Sequence, residues 1–196
     1  MPTQTNLIPD TYSAFSGSRL VSQGALEEVL RGCKCLLDAQ GDGGEPLLIF
    51  EDNSGRQCDF DFSGTEAEVL ARAIPTPSKV GPGRPKLGVI SREVSLLPRH
   101  WEWLERDPQG ISAALRRLVE EAKKRDGGEL ERAALRDAAS RFMWAMAGNY
   151  PNFEEASRAL FARGAKAFEQ AIQSWPADVR EHLTKLTRPW FADGAS

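Results

Sequence analysis

Cysteine and histidine are scarce in this chain, with three cysteines and two histidines among 196 residues. Cys33, Cys35 and Cys58 are too few for a disulfide framework, so a reducing cytoplasm is the expected compartment. Cys33-Lys34-Cys35 has one spacer where a redox motif has two, and it falls within a helical pattern in which both thiols pack. His100 and His182 stand at no metal-ligand spacing from another ligand, so neither a metal nor any other cofactor is expected. No apolar run approaches the roughly 18 residues of a membrane span. Residues 1–10 carry neither a basic stretch nor an apolar core, so no secretory signal is expected. Phosphate loops, nucleophile elbows and zinc-protease motifs are missing too, and no catalytic residue is expected.

What is present fits a globular protein of one to three domains: 41% of residues are hydrophobic and 27% charged. The formal net charge of −3 speaks mildly against a nucleic-acid partner for the chain as a whole. The charge is uneven, however. Residues 79–125 hold eleven basic residues against six acidic ones, a local balance of +5. Local clustering is what matters for phosphate binding.

The pattern divides the chain into an α+β fold of several modules. Residues 11–74 read as a small ββαββα module. A hairpin turns at Gly17-Ser18, and a helix over residues 25–39 carries Leu26, Val29, Leu30, Cys33, Leu36 and Leu37 at helical spacing. A second hairpin joins residues 46–50 to 58–62 around Asn53-Ser54-Gly55. Its return strand alternates, with Cys58, Phe60 and Phe62 inward and Asp59 and Asp61 in water. A last helix starts at Thr65, whose spacing to Glu68 matches a capping box. Residues 75–88, with Pro75, Pro77, Pro82 and Pro85 among glycines, form a Pro/Gly-rich basic linker. Residues 129–190 read as a C-terminal helical bundle. Leu135, Ala138, Ala139, Phe142, Met143 and Met146 lie on one stripe, further helices start at Asn152 and Ala165, and Pro176 sits in the first turn of the last.

Residues 89–126, between linker and bundle, carry the functional expectation. In the run 89–96, Ile90, Val94 and Leu96 alternate with Ser91, Glu93 and Ser95, as a strand requires, and Arg92 falls on the core side or its rim. Pro98 opens a helix with Trp101 and Leu104 inward, and Asp107-Pro108-Gln109-Gly110 ends it. Ser112 is the expected N-cap of the next helix, and Ala114, Leu115, Leu118, Val119 and Ala122 form its apolar stripe. A single strand needs a partner for its backbone groups. That partner is either the same strand of a second copy or the sheet of residues 11–62. Trp101, Trp103, Trp144 and Trp175 read as core or rim packing.

The strand-helix-helix order over residues 89–124 resembles the ribbon-helix-helix superfamily of DNA-binding proteins. The resemblance implies a homodimer whose paired strands present Ser91, Glu93 and Ser95 to the major groove. It also implies that the start of the second helix, at Ile111 and Ser112, grips a phosphate. Glu93 departs from the basic or polar residues usual on that groove face. Gly83-Arg84-Pro85-Lys86 resembles the core of an AT-hook, which implies that Arg84 and Lys86 enter a minor groove or hold phosphates. Over most of the chain a wider resemblance is carried by Gly83-Arg-Pro-Lys-Leu-Gly88, the run 92–101, Phe142-Met-Trp-Ala-Met-Ala-Gly148 and Trp175-Pro-Ala-Asp-Val-Arg180. These phrases are similar to the bacterial domain-of-unknown-function family 2239.

The expectation is therefore a cytoplasmic, dimeric, regulator-like DNA-binding protein. Its DNA contacts are expected at Arg84, Lys86, Ser91, Arg92, Glu93, Ser95, Ile111, Ser112 and Arg116, and its flanking modules are expected to answer an effector or a protein partner. The alternative is a non-enzymatic adaptor in which residues 89–126 only dimerise.

Overall fold

The computed structural model describes residues 11–74 and 92–192. Along the chain the elements are β1 (Tyr12–Ser16), β2 (Arg19–Gly24), α1 (Leu26–Gln40), β3 (Leu47–Glu51), β4 (Arg56–Cys58) and α2 (Glu66–Ala73). They continue with α3 (Pro98–Glu105), α4 (Ile111–Asp126), α5 (Glu129–Ala147), α6 (Phe153–Phe161), α7 (Ala165–Ala171) and α8 (Ala177–Phe191). This is a mixed α+β fold. The chain forms two units: Met1–Thr76 together with Leu130–Ser196, and Pro77–Glu129.

In the first unit the strands form one antiparallel sheet in the order β2-β1-β3-β4. Pairing of β1 with β2 slips between Ala14 and Phe15, so Val21 bulges out of the ladder. The first-turn Asp178 of α8 meets this irregularity, its Oδ2 accepting the Leu20 N–H at 2.8 Å.

Because side chains alternate across a strand, the central pair β1 and β3 serves two cores. Ala14 and Ile49 face α1, where they bury Val29 and Cys33. Phe15 and Phe50 face the other way, into a larger core built with Phe142 and Met143 of α5 and Leu183, Leu186 and Trp190 of α8. The sheet therefore lies between helices that precede and follow the other unit in sequence. The residues 11–74 have their own small core on one face only; the opposite face is completed by residues 130–192.

The local signals at helix starts explain much of this order. Thr65 caps α2 as a capping box: Glu68 N–H donates to Thr65 Oγ1 at 3.4 Å, and Thr65 N–H donates to Glu68 Oε2 at 2.7 Å. At α6 the helix starts where expected, directly after Asn152. That residue adopts a left-handed φ of 61° and makes no side-chain cap. Pro176 stands one position ahead of α8, as its N-cap residue.

The return strand of the second hairpin is also shorter than its alternation predicts, ending at Cys58. Asp59 and Asp61 are exposed, while Phe60 and Phe62 pack on the Ala14–Ile49 core as the pattern requires. Their backbone is held by side chains instead of a ladder. Arg72 Nη2 donates to the carbonyls of Asp61 and Ser63, and Asp61 Oδ1 accepts the Ser63 N–H at 2.9 Å.

Candidate nucleic-acid interface

In the second unit, α3 begins with Pro98, where the missing N–H costs no helical bond. Leu104 is buried and Trp101 half-buried. The turn that follows is organised by Asp107, whose Oδ1 accepts the Gln109 N–H at 2.9 Å and whose carbonyl accepts the Gly110 N–H at 2.9 Å. Gly110, at φ 85°, is the N-cap residue of α4. This corrects the expectation at Ser112, which lies inside the first turn: only a glycine adopts the backbone needed to leave this turn at low cost, so the helix starts at Ile111. Among the described residues no side chain caps α4, and no carboxylate occupies its first turn. The amide end that Ile111 and Ser112 share is therefore free of a competing anion from their own helix.

The charged side chains of α4 divide into two kinds. Arg116 is exposed. Arg117 is engaged, its Nη2 donating to Asp107 Oδ2 at 2.8 Å, with Glu121 Oε1 4.0 Å from its Nε. The Gln109 N–H, and next to it the Arg117 guanidinium, hold the Asp107 carboxyl below the usual carboxylate range. Lys123, Lys124 and Arg125 close the last turn, where cations complement the helix dipole. Residues 92–129 carry eight basic and eight acidic side chains, so over residues 79–129 the remaining balance of +3 rests on Lys79, Arg84 and Lys86.

Arg84, Lys86 and Ser91 lie outside the described residues. Arg92, Glu93 and Ser95 are exposed, but residues 92–97 belong to no strand. The ribbon expected over 89–96 thus receives no support from its described half, nor does that half join the four-stranded sheet. The physical reason is the one that made the strand need a mate: a ladder forms only where a second row of N–H and C=O groups lies alongside. Val94, expected inward, is 54% exposed.

The apolar side chains of this unit exceed the core it makes. Leu104 and Ala114 are its buried hydrophobic residues among those described, while Val94, Leu97, Trp103 and Val119 are each about half exposed or more. Of the stripe predicted on α4, Ala114 is buried, Leu115 and Leu118 are half-buried, and Val119 and Ala122 are exposed. Two helices share one seam, and one seam covers only one side of each.

In the first unit the structure assembles a polar group that no sequence spacing announces. His182 of α8 is 2% exposed and Asp52, just after β3, is 3% exposed. His182 Nε2 lies 3.7 Å from Asp52 Oδ1, while Asp52 Oδ2 accepts the Thr11 hydroxyl at 2.6 Å. The imidazole is enclosed by the rings of Phe142 and Phe15, at centroid distances of 4.6 and 5.4 Å. Burial pushes its pKa down to about 4; Asp52 opposes that shift and Lys185 adds to it. The ring is therefore neutral at physiological pH. Among the described residues, no three of the His, Cys, Asp and Glu side chains are placed to hold a metal ion. Nor, among them, is any helix long and apolar enough to cross a membrane.

No curated protein and no solved structure matches the chain significantly. The profile of a bacterial family, described as "Uncharacterized protein conserved in bacteria (DUF2239)", matches residues 11–187. The match runs through both units and nearly the whole length, and the chain belongs to that family.

Proposed function

We propose that the protein binds DNA as a dimer through the unit of residues 77–129. The observation that carries this reading is the excess of apolar surface on a two-helix unit. Val94, Leu97, Trp103 and Val119 stand in water beside a core of Leu104 and Ala114. A small helix pair of this kind gains most by burying such side chains against a second copy. Dimerisation would bring residues 89–96 of the two copies together and supply each with the ladder partner it needs. This is the ribbon-helix-helix arrangement, with Ser91, Glu93 and Ser95 on the groove side.

Three features support DNA as the ligand. The first turn of α4 at Ile111 and Ser112 carries no carboxylate of its own, which suits a phosphate. Arg116 is exposed one turn further on. Arg84 and Lys86 supply the basic arm ahead of the strand, with Arg92 at its edge. The unit of residues 11–76 and 130–192 would then carry the response to an effector or protein partner.

The adaptor reading is favoured by one observation, the equal numbers of basic and acidic side chains over residues 92–129. A gel-shift series against salt, run beside sedimentation equilibrium, separates the two. A dimer whose DNA affinity falls steeply with salt, and falls again in the Arg84→Ala, Lys86→Ala double variant, supports DNA binding. A dimer that ignores DNA at low salt leaves the adaptor. A monomer that ignores DNA removes both.

A further inference from the structure

His182 is an unusual way to fill a core position. The rings and the carboxylate around it come from other elements: Phe15 from β1, Phe142 from α5, and Asp52 from the turn after β3. Among the described residues neither ring nitrogen has a hydrogen-bond partner, and the same is true of Asp52 Oδ1. Ser13 Oγ is in the same condition, on the same sheet face as Phe15 and directly opposite Phe50. A buried imidazole normally satisfies at least one nitrogen. An apolar side chain would fill the same aromatic cup without stranding a donor.

We propose that His182 and Asp52 form a proton-uptake site that latches α8 to the sheet, closed while the imidazole is neutral and opened when it takes a proton from solvent. The groups around it decide the direction. β1 contributes Phe15 and the Ser13 hydroxyl, and Thr11 just ahead of it another hydroxyl, none of which can balance a new charge. Phe142 of α5 is apolar, and the neighbouring Arg141 is held on the Ser54 carbonyl at 2.5 Å. On α8, Lys185 acts against a second positive charge, and Asp178 is committed to the Leu20 N–H. Among the described groups Asp52 alone favours the proton, from 3.7 Å and with one oxygen already occupied by Thr11.

Burial outweighs that one carboxylate, so the closed ring protonates only near pH 4, whereas a ring released to water titrates near 6.5. Between those values each proton favours the open form. Across the whole interval the open population rises by up to roughly 300-fold. The unit is thereby an acid-responsive one, and α8 is the element that moves.

The test uses the full chain with His100→Gln, which leaves His182 as the sole imidazole. Its ring protons are followed by NMR from pH 7.5 to 4, beside hydrogen exchange of the α8 amides corrected for intrinsic exchange rates. The expected result is a ring that does not titrate above about pH 5 and an α8 opening that rises by up to about tenfold per pH unit below 6.5. The added substitution His182→Leu is expected to abolish that rise. A folded-state ring that titrates near 6.5 overturns the proposal. So does an α8 opening with the same pH dependence in the His182→Leu protein. Should that variant not fold, the ring titration of the parent decides the matter alone.

Discussion

Gly55 lies so close to the backbone of Ala138 that a Cβ built on it would come within 2.0 Å of the Ala138 carbonyl oxygen. The contact seats the turn between β3 and β4 on α5, and Arg141 reinforces it by donating to the neighbouring Ser54 carbonyl. Gly55 also has a φ of 64°, which costs an L side chain about 1–2 kcal/mol. The obstacle is backbone, which cannot swing aside as a side chain could. Gly55→Ala is therefore expected to combine strain with overpacking and to destabilise the unit by about 2–5 kcal/mol. Urea unfolding followed by circular dichroism measures this. A loss below about 1 kcal/mol would show that the turn is not seated on α5 as described.

The buried histidine gives the protein a specific acid sensitivity. Its folded-state pKa, about 4, is below the 6.5 of an exposed imidazole, so the unfolded chain binds the extra proton first as pH falls. The stabilisation is complete above 6.5 and is lost progressively down to about pH 4, by at most about 3 kcal/mol. Asp61, Glu68 and Asp107 have depressed pKa values, so their contributions are present above the ordinary carboxylate range and disappear only at lower pH. Unfolding free energies at pH 7 and pH 5 thus isolate the histidine. The wild type is expected to lose stability over that interval and His182→Leu to lose little. Equal losses would assign the acid sensitivity elsewhere.

How much of this was legible in the sequence depends on the reach of each signal. The ββαββα order, the capping box at Thr65 and the stripe Leu135 to Met143 all arise from residues within a turn or two of one another, and the structure shows them in place. The second face of the sheet was not legible. Phe15 and Phe50 read as ordinary strand residues, and nothing near them indicates that Phe142 and Leu183 complete their core. The Asp52–His182 pair was hidden for the same reason, since its partners lie on opposite sides of an inserted unit. Ser112 misled because serine is a common N-cap, whereas Asp107 and Gly110 together had already set the start of α4. On α4 the engagement of Arg117 by Asp107 was hidden as well, because it depends on how the turn before the helix folds back.

Trp190 anchors the C-terminal helix by two different means. Its Nε1 donates to the Leu160 carbonyl at 2.8 Å, and the Arg163 guanidinium carbon stands 3.9 Å over its ring. It is 4% exposed. Trp190→Ala removes a large buried side chain and is expected to cost about 3–5 kcal/mol. Trp190→Phe keeps most of the apolar contact and loses one hydrogen bond to a carbonyl that still accepts the Arg163 N–H at 3.3 Å, for about 0.5–1.5 kcal/mol. Thermal unfolding should rank wild type above Trp190→Phe above Trp190→Ala. A Phe variant as unstable as the Ala variant would mean that the hydrogen bond, and not the packing, holds the helix.

Asp107→Asn tests whether α4 meets phosphate. The carboxylate accepts the Gln109 N–H and holds the Arg117 guanidinium, so it places a negative charge beside the start of the helix and neutralises one of its cations. An asparagine oxygen can still accept the Gln109 N–H, which preserves the turn before Gly110. What changes is electrostatic: one anion leaves and Arg117 is released. If the proposed DNA complex places phosphate near this end, affinity should rise and the salt dependence steepen by about one counterion. Arg116→Ala should act in the opposite direction, weakening binding across sequences and making the slope shallower by a similar amount. Gel shifts at several salt concentrations measure both slopes. Binding that is unaffected by either substitution would exclude the first two turns of α4 from the interface and leave the basic arm at Arg84 and Lys86 as the remaining candidate.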